Sequence, residues 1–441
     1  MRWVIRIVVG IVTVAVVVGV AGYWYARPLL LTGTGYAAHN ACALTRLADR
    51  PADDDLPPNP LVPYLRTTTT DDGARTTVLG ALAGQRAWYS LGFGCTLADA
   101  APDLGAPTPI APNALTAAPA PTPSAELDAA VGRAFGDDLD AAARAELGTR
   151  AVVVLHDGEL VAERYADGFT AATPQLGWSM AKSVANLLTG VMVAEGSVAV
   201  GDDALRPEWT DGRSGITVDD LMRGTSGLEW DETYELGTPI TRMLYLEEDM
   251  AGYVAGLPLA HQPGTYQQYS SGGTNLLCSV LMARAGVAAD LPRRELLGPL
   301  GLSSAVWETD ATGLPVCSSY LWATPRDWAS IGQFALQDGV WEGSRLLPEG
   351  WMADSTTVRE VAETEESGYA AGWWVNQLPD GSLVDGSLPA DAYSANGHDG
   401  QRLYVVPSAG LVVVRMGFSP GVAREDLRVG ELVAELLSRL G

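Results

Sequence analysis

The chain has 441 residues, 47% hydrophobic and 18% charged, with a formal net charge of -25. That composition fills a sizeable core, in one large domain or two ordinary ones, and excludes a disordered polyampholyte. So acidic a chain offers no basic face to phosphate, which excludes nucleic acid as a partner, and the acidity reads as a solvated surface.

The first element is a targeting segment. Arg2 and Arg6 precede an uncharged apolar run, Ile7 to Trp24, and Tyr23, Trp24, Tyr25 and Arg27 mark its exit. A bilayer crossing takes about 20 such residues, with aromatics where it leaves the membrane. Basic residues ahead of the run place the N-terminus in the cytoplasm and the rest outside. We therefore expect residues 1–28 to be the single-pass anchor of a cell-membrane protein. The rival is a cleaved signal peptide, with Val20 and Gly22 as small residues before the cut. Either way the body of the protein is expected to be extracytoplasmic.

Cysteine usage fits that compartment: Cys42, Cys95, Cys278 and Cys317 are an even set. Cys42 and Cys95 both precede a proline-rich segment, so Cys42–Cys95 with Cys278–Cys317 is the simplest of three pairings. The histidines His39, His156, His261 and His398 are scattered without metal-ligand spacing, so neither a metal nor a cofactor is expected.

Residues 29–98 read as a small extracytoplasmic region. It holds the proline cluster Leu56-Pro57-Pro58-Asn59-Pro60 and extended stretches on either side of Asp71-Asp72-Gly73. Residues 99–124, dense in alanine and proline, read as a linker or a wrapped surface segment. Residues 125–441 carry the pattern of a compact domain. A helix is expected over 127–135, then a hairpin of 151–155 and 160–165 about Asp157-Gly158. Helices follow from Ser179, from a Thr217 cap, over 275–285, and over 325–336 with Thr324 as cap and Pro325 at its first position. Two strands, 402–406 and 411–416, precede an amphipathic helix over 424–440. Strands early and late around a helical middle imply an α+β fold, an antiparallel β-sheet flanked by helices with a mostly helical second lobe. The transmembrane helix precedes it.

The chemistry centres on Gly177-Trp178-Ser179-Met180-Ala181-Lys182-Ser183. Ser179 stands at the first turn of a helix and Lys182 comes round to the same face. Any Ser-x-x-Lys is weak by itself, and the plain alternative is an ordinary N-cap. Lys182, however, is the only lysine in the chain. Arginine cannot release its proton, whereas a buried amine can have its pKa lowered enough to act as a base. A hydroxyl beside such an amine, at the positive end of a helix dipole, is an activated nucleophile.

Three further stretches carry reactive residue types: Gly224-Thr225-Ser226-Gly227, the loop Pro263 to Gly273 with Tyr269 and Ser271, and Asn396-Gly397-His398-Asp399-Gly400-Gln401. Taken alone, Ser226 is a helix-end turn residue, Tyr269 a packing residue and His398 a turn residue. In this order they resemble the serine β-lactamase-like superfamily, whose pattern is Ser-x-x-Lys, then Tyr-x-Asn or Tyr-x-Ser, then Lys-Thr-Gly or His-x-Gly. Here these are Ser179 to Lys182, Tyr269-Ser270-Ser271 and His398-Asp399-Gly400. Gly224 to Leu228 and Leu297 to Leu302 resemble two further family segments. The likeness covers about residues 125–441. Trp178 in the first motif and histidine in the third look most like the 6-aminohexanoate-dimer hydrolase and esterase branch.

The resemblance implies Ser179 as acylated nucleophile, with Lys182 and Tyr269 sharing its proton. It implies an oxyanion hole of the Ser179 and Gln401 backbone N–H groups, and a cleft lined by His398, Gly400, Ser271 and Trp178. Histidine, mostly neutral at pH 7, replaces the family's third-motif cation, and Ser271 stands where β-lactamases have asparagine. Both departures favour small linear amides or esters as substrates over β-lactams. The alternatives are a penicillin-binding-type D-alanyl carboxypeptidase or β-lactamase, and an inactive homologue that binds peptidoglycan or protein. An α/β-hydrolase elbow at Gly177 to Ala181 fits less well, because alanine replaces its second glycine and Lys182 would have no role.

Overall fold

The computed structural model describes residues 2–287 and 289–440. Helix α1 runs unbroken from Arg2 to Leu47, through Pro28. Its first half presents apolar side chains outward, with an 18-residue window of mean hydropathy 2.7 and none of it buried. The expected segment end at residue 28 is not a break in the helix. Beyond it small residues take over, and Ala38, Ala41, Cys42 and Leu44 are fully buried. They pack on a four-stranded antiparallel meander, β1 (Leu65–Thr70), β2 (Gly73–Val78), β3 (Leu82–Ser90) and β4 (Gly94–Leu97). The Cys42–Cys95 disulfide ties α1 to β4.

Residues 99–124 carry turns but no helix or strand, and they are tied to the body by side chains. Asn113 Nδ2 donates to the Leu300 carbonyl at 2.9 Å, and Thr116 Oγ1 donates to Asp327. Helix α2 (Ala125–Ala134) follows, capped by Ser124.

The central sheet has six strands: β5 (Thr149–His156), β6 (Glu159–Tyr165), β7 (Trp374–Val375), β8 (Tyr393–Asn396), β9 (Arg402–Val406) and β10 (Leu411–Gly417). Their spatial order is β7-β8-β9-β10-β5-β6, with every neighbour antiparallel. Successive side chains point to opposite faces of a strand. Val152 and Val154 thus join a cluster with Leu127 and Val131 of α2 and Leu432 and Leu436 of the C-terminal helix. Val153 and Leu155 face the larger core with Met180, Leu187, Trp328 and Phe334. That core belongs to the helical lobe: α3 (Met180–Ala194), α4 (Val218–Arg223), α5 (Ser271–Ala285) and α6 (Pro325–Leu336). The α+β arrangement expected from the sequence is the one that forms.

Two boundaries differ from the expectation. Helix α5 begins at Ser271 rather than near Asn275, because the Ser270 hydroxyl caps it by accepting from Gly273 N at 2.9 Å. The glycine pair Gly272-Gly273 hides that start in the sequence. At the C-terminus, Arg428 takes a left-handed φ of 60°. It separates a single turn over Arg424–Leu427 from α7 (Val429–Leu440).

Candidate active site

The site lies where the head of α3, the head of α5 and the β8–β9 turn meet. Two glycines let the first and third approach. A Cβ on Gly397 would strike the Gly177 carbonyl oxygen, and one on Gly177 would enter the Trp328 indole. Trp178 between them has φ 48°. A bulky residue there costs roughly 1–3 kcal/mol and persists only where surroundings hold it. Its ring is held edge-on to His398 at 5.7 Å and against Tyr320 at 6.1 Å. This sharp turn delivers Ser179 to the surface at the start of α3.

Ser179 is not the capping serine that its position suggests, since its hydroxyl makes no cap bond. It accepts instead from Lys182 Nζ at 2.9 Å. The same amine donates to Ser271 Oγ at 2.8 Å and to the Ser318 carbonyl at 3.1 Å. Lys182 is only 2% exposed. Burial lowers its pKa to about 8, with the Glu232 carboxylate pulling the other way. The Cys278–Cys317 disulfide and the Ser318 N–H bond to Asn275 Oδ1 hold the Ser318 carbonyl in place.

Tyr269 brings its ring centroid to 4.7 Å from Lys182 Nζ and turns its phenol toward Ser179. Burial holds that phenol well above its ordinary pKa, so it is a proton donor at working pH. Tyr369, edge-on at 4.9 Å, and Trp374 at 5.6 Å fix the ring. Ser271, expected only as a lining residue, is fully buried and central. It accepts from Lys182, and its own hydroxyl and N–H donate to Glu232 at 2.5 and 2.9 Å.

The third motif is a tight turn rather than a straight strand edge, with Asp399 at φ 55° and Gly400 at φ 91°. Gln401 follows it, and its side-chain amide pairs with both backbone groups of Gly417, at 2.6 and 3.0 Å. The Gln401 N–H makes only a 3.5 Å contact with the His398 carbonyl. Ser179 N has no backbone partner among the described residues. His398 is 43% exposed. Its ring stacks on Tyr234 at 4.6 Å and stands beside Trp178. Ser179, Lys182 and Ser271 thus form one hydrogen-bonded cluster with the Tyr269 ring against the amine, and Trp178 and His398 lie on its rim. Gly400 and Gln401 form the facing turn.

Three participants escaped the sequence reading. Glu232 is one, and Trp230 Nε1 also donates to it at 2.6 Å. Tyr234 is another, with its hydroxyl buried near Ser271 and Ser319 and no closed hydrogen bond. Trp230-Asp231-Glu232-Thr233-Tyr234 has no spacing that separates it from an ordinary loop. The third, Arg415, donates to the Gly400 carbonyl at 2.8 Å and so fixes the third motif from behind.

The chain belongs to the beta-lactamase family, whose model, Beta-lactamase, matches residues 137–437. It is 26% identical over 302 residues to the 6-aminohexanoate-dimer hydrolase of Paenarthrobacter ureafaciens, covering 62% of this chain and 73% of that protein. Two solved structures share the fold. A penicillin-binding protein homologue from Caulobacter crescentus superposes with a TM-score of 0.54 at 17% identity, covering 72% of this chain and 99% of that one. A family VIII carboxylesterase gives 0.53 at 15% identity, with the same coverages.

Proposed function

We propose that the protein is a membrane-anchored, extracytoplasmic serine hydrolase that cleaves amide or ester bonds of small linear substrates through an acyl-enzyme on Ser179. The observation that carries this is the buried Lys182 amine, 2.9 Å from Ser179 Oγ with a pKa near 8. The names of the relatives, an amide hydrolase and a carboxylesterase, agree with amide or ester substrates.

In this mechanism neutral Lys182 takes the Ser179 proton as Oγ attacks the substrate carbonyl carbon. The Ser179 and Gln401 N–H groups receive the oxyanion, and both are free of strong competing bonds. Tyr269 passes a proton to the leaving nitrogen or oxygen and is reprotonated from Lys182, so the carbon–leaving-group bond breaks with charge balanced. Water then repeats the attack on the acyl carbon and regenerates Ser179. Trp178, Tyr234 and His398 line the approach, and Glu232 orients Ser271 toward the amine.

The anchor reading rests on the outward-facing apolar half of α1 and on Arg2 and Arg6 ahead of it. Flotation with vesicles and protease protection in whole cells check it. The chemistry is checked by a fluorophosphonate probe and a p-nitrophenyl ester on the full chain. Labelling and turnover are expected, and both are lost in Ser179→Ala. Unlabelled wild-type protein, or a labelled Ser179→Ala, overturns the assignment. Labelling by penicillin would shift it to the penicillin-binding alternative.

A further inference from the structure

A cavity of about 790 Å³ adjoins the rim of the active site, and the catalytic domain supplies only part of its wall. Trp178, Tyr234 and His398 line one side. Thr32, Gly33 and Tyr36 of α1, with Leu61 packed over Gly33, line the other. The same helix that runs apolar and bare for its first half therefore walls this rim cavity with its second.

That geometry sets the height of the cleft above a bilayer. Trp24 marks the exit of the apolar run, and Thr32 lies roughly 12 Å further along the helix axis. The polar headgroup layer itself takes up about 5–8 Å on each side. Two contacts bring the rest of the molecule to that level. The Ala83 N–H, at the β2–β3 tip, donates to the Tyr23 hydroxyl at 3.2 Å. The tip residues Leu79 and Leu82 are 62% and 41% exposed, an apolar pair beside the membrane exit. Behind Tyr234, the Leu236-Gly237 loop meets Leu29, whose side chain lies 3.0 Å from where a Gly237 Cβ would be. Leu236 and Leu29 are exposed at 40% and 39%, and Glu235 lines the cavity beside Leu236.

We infer that the substrates are membrane-resident amphiphiles: linear esters or amides whose scissile carbonyl rises into the cleft while a hydrocarbon chain stays in the bilayer. Leu79 and Leu82 dip into the interface and hold the cleft mouth against it. This rests on the serine-hydrolase and anchor readings above, and it adds the substrate's apolar arm.

The test uses the full chain in phosphatidylcholine vesicles with two esters, water-soluble p-nitrophenyl butyrate and bilayer-dissolved p-nitrophenyl palmitate. The wild type is expected to hydrolyse both. In Leu79→Glu/Leu82→Glu the palmitate rate is expected to fall at least tenfold while the butyrate rate, which also reports folding, stays unchanged. An unchanged palmitate-to-butyrate ratio, or butyrate turnover without any palmitate turnover in the wild type, overturns this inference and leaves the serine hydrolase standing. Loss of both esters together with absent fluorophosphonate labelling of wild type removes the hydrolase reading, and this one with it.

Discussion

Lys182 at the head of α3 and Arg415 on β10 are the two most deeply buried cations among the described residues. Lys182 Nζ spends its three protons on two hydroxyls and one carbonyl, and one of those hydroxyls belongs to Ser179. Arg415 donates to the carbonyls of Gly400 and Leu147 and to the hydroxyls of Thr149 and Ser419. Burial lowers both, Lys182 to about 8 and Arg415 to about 9. Burial disfavours the charged form in each case, yet only the amine can give up a proton and take it back near neutral pH, because the delocalised guanidinium keeps its charge. The arginine is a fixed strut behind the third motif, and the lysine is the movable charge in front of it.

The comparison is broken most severely by Lys182→Met, which keeps the volume and removes the base. Acylation by a p-nitrophenyl ester is expected to fall about 10³-fold, within the usual range for general-base loss. Stopped-flow release of p-nitrophenol measures it, and an unimpaired burst would end the assignment. Arg415→Met should instead act on stability. It leaves the Gly400 and Leu147 carbonyls without their charged donor, at a cost of about 3 kcal/mol in urea unfolding. A loss below about 1 kcal/mol would deny it the strut role. The smallest effect is in the pH profile. In the proposed mechanism the reactive amine is the neutral form, so protonation below pH 8 removes it. Acylation should therefore climb about tenfold per pH unit up to roughly pH 8 and flatten above. A flat profile between pH 6 and about 8 would mean that another group takes the proton.

Legibility in the sequence follows the range of the interactions. Ser179 and Lys182 lie one helical turn apart, so their contact is local and could be read from spacing. The Asp157-Gly158 hairpin and the Thr324-Pro325 helix start are equally local. Tyr269 and Ser271 needed the order of motifs as a guide, because their meeting with Lys182 spans 89 residues for the Ser271 bond. Glu232, Tyr234 and Arg415 left no local trace. Each is defined by partners far along the chain, such as the Arg415 bond to Leu147 across 268 residues.

The N-terminal half shows the same division. The apolar run and its aromatic exit could be read as a bilayer-length helix, because hydropathy is a property of each residue. That the helix continues past Pro28 and walls a cavity at the rim of the site could not, since it depends on Gly33 receiving Leu61 and on Leu29 meeting the Gly237 loop.

The sequence by itself determined the early hairpin and late strands, the capped helices, the apolar N-terminal run and the pairing of one hydroxyl with one amine, because turn signals and propensity act over a few residues. Only the tertiary structure decided that the amine is buried, that Ser271 and Glu232 stand beside it, and that α1 walls a cavity at the rim of the site. Desolvation and packing depend on which distant segments the folded chain brings together, and no short stretch of residues carries that information.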